Sequence, residues 1–173
     1  MRLLKRLKEY HFEQYAHVKR TAHLCVLIGV ELGFNNKQLQ ELKTIGLYHD
    51  IGKLRIPIEI LSKTDELTEQ EYDIIKQHSL YSISFLKTDN MKIREAILYH
   101  HENLDGSGYY KVKDNDLSIY QRIIRVADVY DALVSERCYK SSWTKEDAYQ
   151  YLTKNTGTMF DENIVEILGN IIF

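Results

Sequence analysis

This chain of 173 residues contains one proline, Pro57, and only eight glycines. That scarcity constrains the fold more than any other feature. A β-sandwich or barrel reverses direction every 8–12 residues or roughly so, and draws on Gly and Pro to do it. Long helices joined by few turns need far less of either. The expected fold class is therefore all-α, a compact helical bundle.

Hydrophobic periodicity supports that expectation. Leu24, Val26, Leu27, Ile28 and Val30 recur at helical spacing within a segment from Leu3 to Leu32, which Gly33 and Asn35 stop. A second helix is expected from Lys37 to Asp50, broken by Gly52 and Pro57. Thr68 with Glu71 forms a capping box that opens a helix to about Leu86. Another helix precedes a loop from Glu102 to Asn115, and an apolar helix follows from Ser118 to Val134. Thr144 with Asp147 marks a further start, and Asp161 caps a last helix. With no linker, repeat or low-complexity stretch, residues 1–173 read as a single domain.

Composition narrows the partners. The net charge of -2 offers no broad basic face for a nucleic acid polymer. No apolar run is long enough to span a membrane. Met1 to Tyr10 has basic residues but no apolar core of a signal peptide. Cys25 and Cys138 form no metal-binding pair and read as reduced thiols, so a cytoplasmic location is expected.

Seven histidines carry most of the chemical interest. His49-Asp50 ends a helix, and both can face one site only if it lies off that end, because adjacent helical residues point about 100° apart. The pair reads equally as an exposed polar terminus. His100-His101 also ends a helix, where histidines complement the dipole. Asp128 lies in an apolar helix and needs a partner, which a metal, Arg122, Arg125 or plain exposure would supply. His78 lies among Ile74, Ile75 and Tyr81, a setting that also suits a hydrogen-bonded core histidine. His17 follows Glu13 by four residues, so the two share a helical face, as metal ligands or as a surface pair. His11 and His23 are read as structural.

The joint pattern is more specific than its parts. His49 to Pro57 (HDIGKLRIP) resembles the signature of the HD superfamily of metal-dependent phosphohydrolases. His100 to Tyr109 (HHENLDGSGY) resembles the second signature of its HD-GYP subfamily, and Val126 to Leu133 (VADVYDAL) the subfamily's aspartate helix. Arg137 to Lys140 and Gly157 to Asp161 also match. The resemblance implies a helical domain that hydrolyses cyclic di-GMP to linear pGpG or onward to GMP. It implies metal ligands at His17, His49, Asp50, His78, His100, His101 and Asp128, with Asp50 bridging and catalytic. Glu13 resembles the extra ligand of members with a third metal. Lys53 would act on the scissile phosphate, and Arg137 and Lys140 would reach the substrate's phosphates.

Two or three divalent ions are therefore expected, iron or manganese first, with zinc, nickel or magnesium also compatible. The partner implied is a cyclic dinucleotide, with room for a signalling protein or a homodimer. The chain as read has no room for a sensory domain. One departure stands out: the family's Gly-Tyr-Pro is Gly108-Tyr109-Tyr110, which should leave the loop freer because proline fixes φ. Rival readings are an HD phosphohydrolase for another cyclic dinucleotide or nucleotide, and a dinucleotide-binding module with little turnover.

Overall fold

The computed structural model describes residues 2–135 and 142–173, so Arg137, Cys138 and Lys140 lie outside the described residues. The described residues form helices joined by loops, with no strand beyond an isolated bridge between Thr156 and Phe160. In chain order the helices are α1 (Arg2–Tyr10), α2 (Phe12–Glu31), α3 (Asn36–Tyr48), α4 (Ile58–Leu61), α5 (Glu69–Lys76), α6 (His78–Phe85), α7 (Met91–Leu98), α8 (Ile119–Val134), α9 (Lys145–Lys154) and α10 (Glu162–Ile172). A 3₁₀ turn at Ile51–Arg55 links α3 to α4. No helix among the described residues is long and apolar enough to cross a membrane.

The caps read from the sequence form as expected. Thr68 accepts from the Glu71 N–H while Glu71 reaches back to the Thr68 N–H, and Asp161 caps α10. Two predicted helices are interrupted, however. The first segment breaks at His11, whose extended backbone (φ -154°) lets its ring accept from the Gln14 N–H and cap α2. That break frees α1 to pack on the 3₁₀ turn, where the Tyr10 hydroxyl donates to the Ile56 carbonyl at 2.6 Å. The second breaks at Gln77, between α5 and α6, where no glycine or proline announces it.

The core lies where α2, α3, α7 and α8 meet, under α9 and α10. Cys25, Ile28, Leu42, Ile45, Ile97, Ile123, Ile124, Leu152, Ile164 and Leu168 are all fully buried there. Cys25 is reduced, and burial pushes its thiol pKa up. Close helix contact rests on Gly46, where a Cβ would sit 2.4 Å from Ala22 Cα. Gly52 does the same for the 3₁₀ turn: a Cβ there would lie 1.9 Å from the His78 carbonyl oxygen. Ser82 locks this junction, accepting from the Gly52 N–H at 2.8 Å and donating to the His49 carbonyl at 2.6 Å.

Candidate metal centre

Asp50 follows the end of α3 and is nearly fully buried. Imidazoles surround its carboxylate. Oδ1 lies 3.1 Å from His78 Nε2 and 3.8 Å from His100 Nε2. Oδ2 lies 3.5 Å from His49 Nε2 and 3.7 Å from His17 Nε2. Asp128, on α8, completes the far side, with Oδ1 3.0 Å from His17 Nε2 and 3.6 Å from His49 Nε2. Its sequence-stated alternatives fall away, since Arg122 pairs with Asp114 and Asp161, and Arg125 binds Asn103.

Every one of these rings presents the same nitrogen inward, and the reason is local. His49, His78 and His100 each place Nδ1 against the carbonyl three residues earlier, on Gly46 at 2.8 Å, Ile75 at 2.6 Å and Ile97 at 2.6 Å. A carbonyl only accepts, so Nδ1 carries the proton and Nε2 is left with a lone pair. That is the tautomer a metal needs. His17 is oriented differently, with Nδ1 2.7 Å from Asp131 Oδ2, which turns Nε2 toward the same site.

The electrostatics follow from burial and crowding. Burial would raise the carboxyl pKa of Asp50, but Lys53 and His49 outweigh it and hold the group well below its usual range. Asp128 is held down in the same way by His17 and His49. Burial and then His49 and His78 lower His100 to about 3. His101 is lowered too, by burial and its histidine neighbours. His17 goes the other way: burial would lower it, yet Asp128 and Asp131 raise it to about 9.

These residues fit divalent metal. His49 Nε2 and Asp50 Oδ1 are buried with no hydrogen-bond partner, which is costly unless a cation meets them. His78 Nε2 and His100 Nε2 face one another at 3.2 Å. Donor atoms gather in two groups, Asp50 with His78, His100 and His101, and Asp50 with His17 and His49, each within 4.8 Å. Asp50 belongs to both, so one carboxylate could bridge two ions. Imidazole with carboxylate suits iron, manganese or zinc.

The remaining expected residues are placed unevenly. The His101 ring lies tilted against those of His100 and Tyr109, with ring centroids at 4.0 and 4.6 Å. The Lys53 ammonium lies 2.6 Å from Asp50 Oδ2 and 3.2 Å from Gln14 Oε1. Glu13 sits one turn before His17 but joins neither donor group. Arg137 and Lys140 lie outside the described residues. His11 caps α2, and His23 is exposed.

Sequence reasoning missed two groups and misjudged a third. Asp131 and Arg20 form a bidentate pair, Nε to Oδ1 at 2.7 Å and Nη2 to Oδ2 at 3.0 Å, directly behind His17. Their spacing was a signal: each follows a site residue by three positions on its own helix. The loop after His101 is also not freer for lacking proline. The Tyr110 N–H donates to Glu102 Oε1 at 2.7 Å, a bond proline cannot make, and its hydroxyl lies 3.1 Å from Ser79 Oγ.

Comparison with known proteins meets this geometry. The family described as HD domain matches residues 3–164. The chain belongs to the HD-domain family. This HD domain is 36% identical over 174 residues to the cyclic di-GMP phosphodiesterase PdeB of Borreliella burgdorferi, covering 99% of this chain and 45% of that protein. It is 35% identical over 161 residues to the 3'3'-cGAMP-specific phosphodiesterase 2 of Vibrio cholerae, covering 90% of this chain and 31% of that protein. The HD domain thus spans less than half the length of these relatives. Among solved structures, Bd1817, an HDG"Y"P protein from Bdellovibrio bacteriovorus, shares the fold with a TM-score of 0.73 at 19% identity, covering 90% of this chain and 51% of that one.

Proposed function

We propose that this chain, as one HD domain over residues 1–173, is a metal-dependent phosphodiesterase that opens cyclic di-GMP to linear pGpG. The observation that carries this reading is the buried convergence of imidazole Nε2 atoms on one shared carboxylate, Asp50, with two donor atoms left without partners. The names of the relatives, cyclic di-GMP and cGAMP phosphodiesterases, support the substrate class.

Hydrolysis adds water across one P–O3′ bond, leaving a 5′-phosphate and a free 3′-hydroxyl. Two divalent ions, when bound, supply a nucleophile at neutral pH and stabilise charge on both the attacking and leaving oxygens. Asp50 would bridge them, His17, His49 and Asp128 would hold one, and His78, His100 and His101 the other. Asp50 and the imidazoles fix the place of attack without rearranging, because backbone carbonyls and Asp131 already set the rings. The Lys53 ammonium, at the Asp50 carboxylate, lies where it can offset charge developing on phosphoryl oxygens. Arg137 and Lys140 are proposed to engage the substrate's phosphates. Iron or manganese is the proposed occupant, the location is proposed to be cytoplasmic, and Glu13 would join only a third ion.

The test is turnover of cyclic di-GMP by protein purified without oxygen and loaded with iron or manganese, with metal content measured in parallel. Metal-dependent pGpG formation is expected, and Asp50→Ala is expected to lose both turnover and metal. Full metal occupancy with no pGpG would move the reading to another substrate, with cGAMP first because of the Vibrio cholerae relative.

A further inference from the structure

Beside the metal centre lies a second recess of about 460 Å³, reached past His101. Its walls include Lys76, Lys111 and Arg125, and no carboxylate lines it. Two of its walls are aromatic, the Tyr72 and Tyr109 rings, set edge to face at 6.0 Å.

The three cations are not equivalent. Lys76 already has partners, with its ammonium 3.2 Å from Asp73 and 4.5 Å from the Tyr72 ring centroid. Arg125 has no opposite charge within ion-pair distance among the described residues. Its Nε and Nη2 both donate to a single neutral acceptor, Asn103 Oδ1, at 3.1 and 2.8 Å. Its guanidinium also rests over the Phe160 ring at 5.6 Å. This fixes the fork in place and leaves Nη1 without a hydrogen bond among the described residues. A rigid guanidinium held in a recess without a direct ion pair is a binding group awaiting acceptors.

We propose that Arg125 reads a guanine base of the substrate, with the Tyr72 and Tyr109 rings supplying the faces it packs against. This rests on the cyclic-dinucleotide reading above. Arg125 precedes Asp128 by three residues on α8, so the recess and the metal centre share a helix face, and His101 borders both. One ligand can therefore place a phosphate at the metals and a base in the recess. Guanine presents two acceptors, O6 and N7, along one edge, whereas adenine presents N7 beside a donor amine. Arginine has donors only, so it meets guanine without conflict and meets adenine with a donor against a donor. A phosphate would answer the charge of Arg125 but leave the two aromatic walls unused.

The experiment compares cyclic di-GMP with cyclic di-AMP for wild type and Arg125→Gln. Gln carries a donor and an acceptor, the match for adenine. The ratio of kcat/KM values, cyclic di-GMP over cyclic di-AMP, is expected to fall by roughly 5- to 150-fold. Equilibrium binding to EDTA-treated protein should move the same way. Arg125→Met keeps a stem over Phe160 without the fork, and guards against misfolding of the first variant. It too should lower the ratio, with an unchanged circular dichroism spectrum. Equal losses for both dinucleotides would mark a phosphate contact and overturn the proposal. Wild-type protein that cleaves the dinucleotides with a ratio indifferent to residue 125 overturns this inference alone. Wild-type protein that neither binds nor cleaves either one overturns the underlying reading as well.

Discussion

His17 differs from the other buried imidazoles in what holds its outer nitrogen. Backbone carbonyls three residues earlier orient His49, His78 and His100, and a carbonyl brings no charge. His17 is held by the Asp131 carboxylate, itself clamped by Arg20 from one turn further along α2. A carboxylate behind an imidazole raises its basicity and fixes its tautomer. Asp131→Asn is therefore expected to weaken metal binding by roughly 10- to 100-fold while the helices remain intact. Chelator competition with manganese measures this directly. Unchanged affinity would mean that the pair only braces α2 against α8.

At the level of elements, the loop between α7 and α8 is organised by Glu102, which is nearly fully buried. Its two carboxylate oxygens accept from the Tyr110 and Val112 N–H groups at 2.7 and 2.8 Å. Gly108 lets the chain pass over it, since a Cβ there would lie 2.5 Å from Glu102 Cα. Restoring the family's residue by Tyr110→Pro should thus destabilise this chain, by about 1–3 kcal/mol for a buried acceptor losing its donor. Urea denaturation would detect it, and a stability equal to wild type would show that Glu102 finds another donor. The helix breaks at His11 and Gln77 belong to the same scale. The side-chain cap at His11 is local, but it competes with helix continuation at a residue equally able to do either. At Gln77 the dihedrals stay near helical (φ -69°, ψ -13°), so nothing in the local sequence distinguishes the break.

Across the whole molecule, Glu41 ties three helices together. Its carboxylate on α3 accepts from the Tyr120 hydroxyl on α8 at 2.6 Å and from Asn90 at the start of α7 at 2.8 Å. The Tyr120 bond, opposed by burial and aided by Asn90, lowers the Glu41 pKa below 4.5. A carboxyl depressed on folding contributes stability that is fully present above its unfolded value, here about 4.5, and is lost as pH falls through the folded value. Denaturation midpoints should accordingly fall as pH drops below about 4.5, and Glu41→Gln should flatten that part of the profile. A Glu41→Gln profile parallel to wild type would show that other carboxyls carry the acid sensitivity.

The sequence by itself determined the helical class and the caps at Thr68, Thr144 and Asp161. Each of these is written locally, in hydrophobic period or in capping chemistry. The resemblance named candidate residues for the site, but not their geometry. Only the packed chain decides that α2, α3, α6, α7 and α8 deliver their donors to one carboxylate. The same holds for Asp131 serving His17 from 114 positions away, and for Tyr110 finding a buried acceptor in Glu102. Burial and long-range pairing are sums over residues distant in the chain, and no local window contains them.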